Sequence, residues 1–125
     1  MKIDHINISA PKEVLDRDKD FLCEIFPLKE GFRPNLSHHG YWLYFGDNAL
    51  FHLSQSDNHH ANEKPGYLDH VAFQLEGLAQ FVEKLNALDV PYEVKQQSQI
   101  SITQVFLALP SGLKIEVTFK NETLS

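Results

Sequence analysis

The sequence of this chain repeats itself at an offset of 64 to 65 residues. The segment Ile3–Ile8 matches Leu68–Phe73 at an offset of 65, with the same Asp-His pair between apolar residues in both copies. A second match, between Leu50–Ser54 and Lys114–Thr118, has an offset of 64 and places a histidine or a glutamate between two apolar residues. Two matches at nearly the same offset predict two copies of one structural module.

Each half of the chain has the pattern of one strand, one helix and three further strands. Short alternating apolar runs predict the strands, and apolar residues at helical spacing predict the helices. The predicted strands are residues 3–8, 30–33, 41–45 and 49–54 in the first half, and 68–75, 92–95, 103–109 and 113–119 in the second. The predicted helices cover residues 14–26 and 78–88. The predicted fold class is therefore α+β, a single domain over 1–125 with paired βαβββ modules at about residues 1–56 and 67–121.

Composition and charge exclude several functional classes. A chain of 125 residues can bury a core without disulfides, and its single cysteine cannot form an internal one. With 11 basic and 17 acidic residues the formal net charge is −6, which argues against binding to nucleic acid or to an anionic membrane surface. No apolar run approaches the roughly 20 residues of a membrane span, and the N-terminus lacks the pattern of a signal peptide. A cytoplasmic location is the expectation.

Four side chains of metal-ligand type lie on corresponding faces of the predicted strands. Because side chains alternate along a strand, His5, His52, His70 and Glu116 point away from the apolar faces that must meet the helices. If the sheets curl, these four side chains converge. Imidazole and carboxylate ligands with open positions suit Zn, Ni, Mn, Co or Fe(II), and the sequence does not distinguish between these metals.

The same faces provide candidate walls for a small-molecule pocket. By the 64-residue offset Trp42 corresponds to Phe106 and Tyr44 to Ala108, and Gln104 lies beside them on the penultimate strand. Trp42, Tyr44, Gln104 and Phe106 are therefore the predicted substrate-pocket residues. The histidine pairs at 38–39 and 59–60 fall in predicted loops, where solvated side chains are expected.

At these residues the chain resembles the vicinal oxygen chelate superfamily, which includes glyoxalase I, extradiol dioxygenases, fosfomycin-resistance enzymes and bleomycin-resistance proteins. The resemblance covers nearly the whole chain. It is carried by Asp4-His5-Ile6, Asp69-His70-Val71, Gln104-Val105-Phe106 and Ile115-Glu116-Val117. It implies paired modules that form an incomplete barrel around one divalent metal, with the helices on the outer face.

The resemblance also implies roles for the four residues. His5, His70 and Glu116 fall on the commonest metal-ligand positions of the superfamily, and His52 falls on the fourth. His52 can instead be a hydrogen-bond partner of a ligand or a base, so His52 and Glu116 are the candidate catalytic residues. Two departures from the superfamily pattern are the sequence Leu109-Pro110-Ser111-Gly112 before the last strand and a histidine instead of glutamate at position 52.

Three functions follow from the resemblance. The favoured one is a metal-dependent lyase or isomerase of the glyoxalase type, which chelates a small substrate through adjacent oxygens. The alternatives are an Fe(II) extradiol-type dioxygenase and a metal-free binding protein of the bleomycin-resistance type. Short members of the superfamily are usually homodimers, in which His5 and His52 of one chain would share a site with His70 and Glu116 of the other.

Overall fold

The computed structural model describes all residues from 1 to 125 and divides them into two compact units, Met1–Lys64 and Pro65–Ser125. The first unit contains β1 (Ile6–Ala10), α1 (Lys12–Ile25), β2 (Lys29–Gly31), β3 (Gly40–Phe45) and β4 (Asn48–Gln55). The second contains β5 (His70–Gln74), α2 (Leu78–Ala87), β6 (Glu93–Gln97), a 3₁₀ turn (Ser98–Ile100), β7 (Ile102–Ala108) and β8 (Lys114–Lys120). Neither helix combines the length and the apolar character that crossing a membrane requires.

The two units have the same sheet topology, which confirms the predicted α+β fold of two βαβββ modules. The strand order is β1-β4-β3-β2 in the first sheet and β5-β8-β7-β6 in the second. In each sheet the first strand pairs in parallel with the last, and the other neighbours are antiparallel. A parallel pair needs a long crossover connection, and here the helix and the two other strands supply it.

The register of the strands reproduces the offset that the sequence shows. In the first unit His52 lies opposite Asn7 on one side and Trp42 on the other. In the second unit Glu116 lies opposite Ala72 and Phe106. The residue numbers differ by 65 for the first strands and by 64 for the others, so the two modules correspond residue for residue along these rows.

One face of each sheet is buried and carries the core of its unit. Phe51 and Leu53 of β4 are fully buried, as are Ile115, Val117 and Phe119 of β8. The helices supply the other side of each core, with Leu15 and Leu22 on α1 and Leu78 and Leu85 on α2. Burial of one such side chain contributes about 1.5–3 kcal/mol to the free energy of folding. The alternation predicted for β4 and β8 is thereby confirmed, and it turns His52 and Glu116 to the face opposite the helix.

Four strands differ from the sequence prediction by two residues or more at one end or both. β1 begins at Ile6 and not at Ile3, and β5 begins at His70 and not at Leu68, where the parallel pairing with the last strand of each module starts. Ile3 and Leu68 are exposed. β2 covers Lys29–Gly31 where the sequence predicts 30–33, and β6 covers Glu93–Gln97 where it predicts 92–95. These two outer strands pair on one side only, so few contacts determine where they end.

A carboxylate from the C-terminal segment caps α2. Gly77 precedes this helix with φ +91° and has no side chain to cap it. The carboxylate of Glu122 accepts hydrogen bonds from Gly77 N (3.1 Å) and Leu78 N (2.8 Å). The backbone oxygen of Glu122 in turn accepts a hydrogen bond from Thr103 Oγ1 at 2.6 Å. The negative charge also lies at the positive end of the helix dipole, so Glu122 joins the chain end to the helix and to β7.

We expect Glu122→Ala to lower the free energy of unfolding by about 1 kcal/mol, because it leaves the first N–H groups of α2 without their cap. Urea denaturation monitored by circular dichroism measures this change. Glu83→Ala, which removes an exposed carboxylate from the same helix, is the matched control and should change stability by less than half as much. Equal effects of the two substitutions would show that the cap does not contribute.

Candidate metal-binding site

Three aromatic rings stack on the sheet face of the first unit that is turned away from α1. The rings of His5 and His52 have centroids 3.8 Å apart and planes that differ by 7°. The indole of Trp42 lies on the other side of His52, 4.0 Å away and tilted by 11°. His52 is therefore held between two rings, and its orientation is determined by the cross-strand pair with Trp42 and by the chain segment just before β1.

The stacked geometry bears on how the two histidines can bind a metal. An imidazole nitrogen holds its lone pair in the plane of the ring, and a metal lies about 2.0–2.1 Å from that nitrogen. Two nearly parallel planes 3.8 Å apart do not meet at such a position. Joint ligation by His5 and His52 therefore requires that one ring rotates out of the stack.

The second unit places an imidazole against a carboxylate at the corresponding place. His70 Nε2 lies 3.3 Å from Glu116 Oε1. The other carboxylate oxygen of Glu116 accepts hydrogen bonds from Gln104 Nε2 at 3.1 Å and from Thr118 Oγ1 at 2.9 Å. Glu116 is 9% exposed. Its carboxylate is thus fixed by two neutral donors, and the oxygen that faces His70 accepts neither of these bonds.

An aspartate orients the histidine that begins each module. The Nδ1 atoms of His5 and His70 each lie 2.7 Å from a carboxylate oxygen of the preceding residue, Asp4 or Asp69. When Nδ1 donates to the carboxylate, Nε2 carries the lone pair. This carboxylate–histidine pairing is the arrangement that accompanies metal-bound histidines in proteins, because it fixes the tautomer and raises the basicity of the ligand.

Hydrogen bonds, burial and charge shift the pKa values of Asp4, Asp69 and His52. The hydrogen bond from His5 lowers the pKa of Asp4, and those from His70 and then Lys114 lower the pKa of Asp69. Burial lowers the pKa of His52 below its ordinary value of 6.5, and the nearby charge of His5 lowers it further. His52 is therefore a neutral imidazole at pH 7, able to accept a proton or to donate a lone pair.

Three of the four predicted pocket residues lie beside the candidate ligands of their own unit. Trp42 stacks on His52, and Gln104 donates to Glu116. Phe106 meets His70 edge to face, with centroids 6.4 Å apart. Tyr44 lies farther along β3, where its hydroxyl donates to the carbonyl oxygen of Phe32 at 2.6 Å.

Each unit brings together two of the four predicted ligands, His5 with His52 and His70 with Glu116. Neither unit by itself gathers three His, Cys, Asp or Glu side chains into a metal-binding group. Ligation by all four residues stays a prediction. The loop histidines at 38, 39, 59 and 60 are exposed.

Sequence reasoning did not assign roles to Asp4, Asp69 and Thr118. The aspartates are visible as part of the repeated Asp-His pair, and their occurrence in both copies is the signal that marks them as partners of the histidines. Thr118 lies two residues after Glu116 on the same strand face, so the alternation of β8 predicts its proximity. Its hydrogen bond to the carboxylate depends on the rotamer of the Thr118 side chain, which no sequence pattern specifies.

Comparison with known proteins identifies the fold. No sequence family profile and no curated protein sequence matches this chain. Among solved structures, a glyoxalase family protein from Bacillus anthracis superposes with a TM-score of 0.76 at 20% identity, over 96% of this chain and 95% of that one. The fosfomycin resistance protein FosX from Listeria monocytogenes gives 0.73 at 18% identity, over 99% and 95%. A mutant of FosX in complex with Mn(II) and 1S,2S-dihydroxypropylphosphonic acid gives 0.73 at 16% identity, over 95% and 92%.

In each comparison the similarity covers nearly the full length of both chains. At identities of 20% or less they establish the fold and not the activity. The chain shares the fold of these proteins, and that fold agrees with the paired βαβββ modules predicted from the sequence.

Without metal, we expect the pKa of His52 to lie below 6.5 and to rise towards that value in His5→Asn, because the substitution removes both a neighbouring charge and a covering ring. A histidine whose pKa is depressed on folding stabilises the protein above its unfolded pKa, and this contribution falls as the pH falls through 6.5. NMR titration in EDTA measures the value, and His52→Gln assigns the resonance. An unchanged midpoint in His5→Asn would contradict the stacked geometry.

Proposed function

We propose that this chain, which has the vicinal oxygen chelate fold, is a divalent-metal-dependent enzyme that acts on a small molecule through adjacent oxygen atoms. The favoured reaction class is that of a glyoxalase-type lyase or isomerase, in which a proton is moved on the bound substrate. His5, His70 and Glu116 are the proposed ligands of one divalent metal, and His52 is a further ligand or the base.

The observation that carries this proposal is the Asp-His arrangement, which occurs once in each module at matching positions. In both modules the aspartate lies 2.7 Å from Nδ1, so that Nε2 is the nitrogen available to a metal. In the second module this Nε2 lies 3.3 Å from a carboxylate oxygen. Two separate copies of an arrangement typical of metal-bound histidine favour a metal over a purely structural role.

The donor set fits a divalent transition metal. Neutral imidazole and one carboxylate suit Zn, Ni, Mn, Co or Fe(II), and they leave positions for a substrate. A divalent ion bound there would supply Lewis-acid polarisation of the substrate oxygens. The Mn(II) complex of FosX belongs to a protein with this fold, and it supports the choice of a divalent metal for this chain.

The side chains around the proposed site have separable tasks. Gln104 and Thr118 hold one oxygen of Glu116 and so leave the other free to bind. His52 is neutral at pH 7, because burial and the charge of His5 lower its pKa, and it can accept a proton from the substrate. Trp42 holds the ring of His52 in place by stacking. We therefore propose His52 as the base in the stacked arrangement.

The proposed enzyme acts as a homodimer. Several large apolar side chains of the chain are exposed, among them Phe32 at 76% and Phe45 at 57% in the first unit. Exposed apolar side chains that lie together in one patch are typical of protein interfaces. In the proposed dimer, the first module of one chain and the second module of the other contribute ligands to the same metal.

We expect Asp69→Asn to weaken metal binding about 10- to 100-fold, because the amide no longer fixes the tautomer of His70 or raises its basicity. Glu116→Gln, which removes a proposed ligand, should weaken binding at least as much. Competition with a chromophoric chelator measures the affinity for Zn, Ni, Co and Mn.

Asp57→Asn is the matched control, since Asp57 is an exposed carboxylate of the first unit whose loss changes the charge equally. Its metal affinity should equal that of the unchanged chain. If all three variants bind metal alike, the proposed ligand set is wrong.

A further inference from the structure

The guanidinium of Arg33 lies against Gly40 in the first unit. Its Nη2 and Nε atoms are 2.8 and 2.9 Å from the position that a Cβ atom on Gly40 would occupy. The same Cβ would also collide with the carbonyl oxygen of Leu53. Any larger residue at position 40 would therefore displace the guanidinium, and the absence of a side chain there is what makes room for Arg33.

Arg33 has no partner for two of its nitrogen atoms. Nε and Nη2 are shielded from solvent and make no hydrogen bond. Other cations of this acidic chain do have carboxylate partners: Lys12 pairs with Asp16, and Lys114 with Asp69. Shielded donors without an acceptor cost free energy, which the guanidinium would recover by turning towards a bound anion.

The strand register places Arg33 beside the stacked rings. Gly31 pairs with Trp42, so continuing the antiparallel register by two residues sets Arg33 opposite Gly40. Gly40 in turn pairs with Ser54, which lies two residues from His52 on the same face of β4. The charge of Arg33 also contributes to the lowered pKa of His52, which agrees with this proximity.

The second module has a basic residue at the matching position. Lys95 lies opposite Gln104, which corresponds to Gly40 at the 64-residue offset. The ammonium of Lys95 stands 5.6 Å from the ring centroid of Phe106, the counterpart of Trp42. In the second module, however, the Gln104 side chain occupies this position and binds Glu116. In the first module Gly40 occupies this position, so no side chain stands opposite Arg33.

We propose that Arg33 binds an anionic group, a carboxylate or a phosphonate, of the small molecule that occupies the face formed by His52 and Trp42. A guanidinium offers paired N–H donors in a planar fork that matches the oxygens of both groups. The inference rests on the proposed function for the location of the substrate and adds its chemical class: an acid whose charged group lies next to the atoms that react. The binding of the anion itself does not require a metal.

The chain offers a direct test because Arg17 and Arg33 are its only arginines. Two Nε–Hε signals are therefore expected in the ¹⁵N spectrum, one from exposed Arg17 and one from Arg33. Methylphosphonate and acetate are titrated separately into the full-length chain in EDTA. We expect one or both to shift the Arg33 signal saturably, with a Kd on the order of 1–10 mM, and to leave that of Arg17 unchanged.

Two variants complete the test. Arg33→Gln should weaken anion binding about tenfold or more, as monitored by the indole N–H of Trp42, the only tryptophan, while the matched charge control Arg17→Gln should bind as the unchanged chain does. Arg33→Lys, which keeps the charge without the fork, should fall between them. Saturation by acetate alone assigns a carboxylate, and saturation by methylphosphonate alone assigns a phosphonate.

The proposal is overturned if neither anion shifts the Arg33 signal saturably, if both arginine signals shift alike, or if Arg33→Gln binds as well as the unchanged chain. The titration in EDTA is independent of the metal site. Anion binding in a chain that takes up no metal would contradict the proposed function alone, and metal binding without anion binding would contradict the role of Arg33 alone.

Discussion

The parallel pairing of the first and last strands within each module determines the rest of this structure. In that pairing β4 and β8 become inner strands, each with a neighbour on both sides, and their apolar residues are buried beneath a helix. Strict alternation then leaves His52 and Glu116 on the opposite face. His5 immediately precedes β1 and is brought beside His52. His70 is the first residue of β5 and is brought beside Glu116. The chemistry of each module follows from this one backbone arrangement.

The duplicated modules use the same positions in different ways. The first module packs three aromatic rings in a stack with His52 at its centre, whereas the second surrounds Glu116 with hydrogen-bond donors from Gln104 and Thr118. The first arrangement keeps an imidazole neutral, and the second holds a carboxylate in one orientation. Corresponding strand positions therefore present an imidazole in the first module and a carboxylate in the second.

Much of the fold could be predicted from the sequence, because the repeat and the alternation in β4 and β8 are read directly from residue order. The limits of β1 could not, since they depend on its own pairing with β4, which starts at Ile6 and Phe51. The same holds for the stack of His5, His52 and Trp42, which depends on rotamers. The position of the Arg33 guanidinium could not be predicted either, because it depends on the absence of a side chain at Gly40 on the neighbouring strand. A glycine at a strand end is common in proteins for reasons of backbone conformation alone, so the sequence does not connect it with Arg33.

We propose that both modules supply ligands to the same divalent metal, and the metal content of the purified protein tests this proposal. The chain and its His5→Ala and His70→Ala variants are purified without chelators or an affinity tag. The metal content of each is measured by inductively coupled plasma mass spectrometry. We expect one divalent metal ion per chain, which is lost in either variant although the two histidines lie in different modules. A chain that takes up no metal even after reconstitution, or a variant that keeps its full complement, would contradict it.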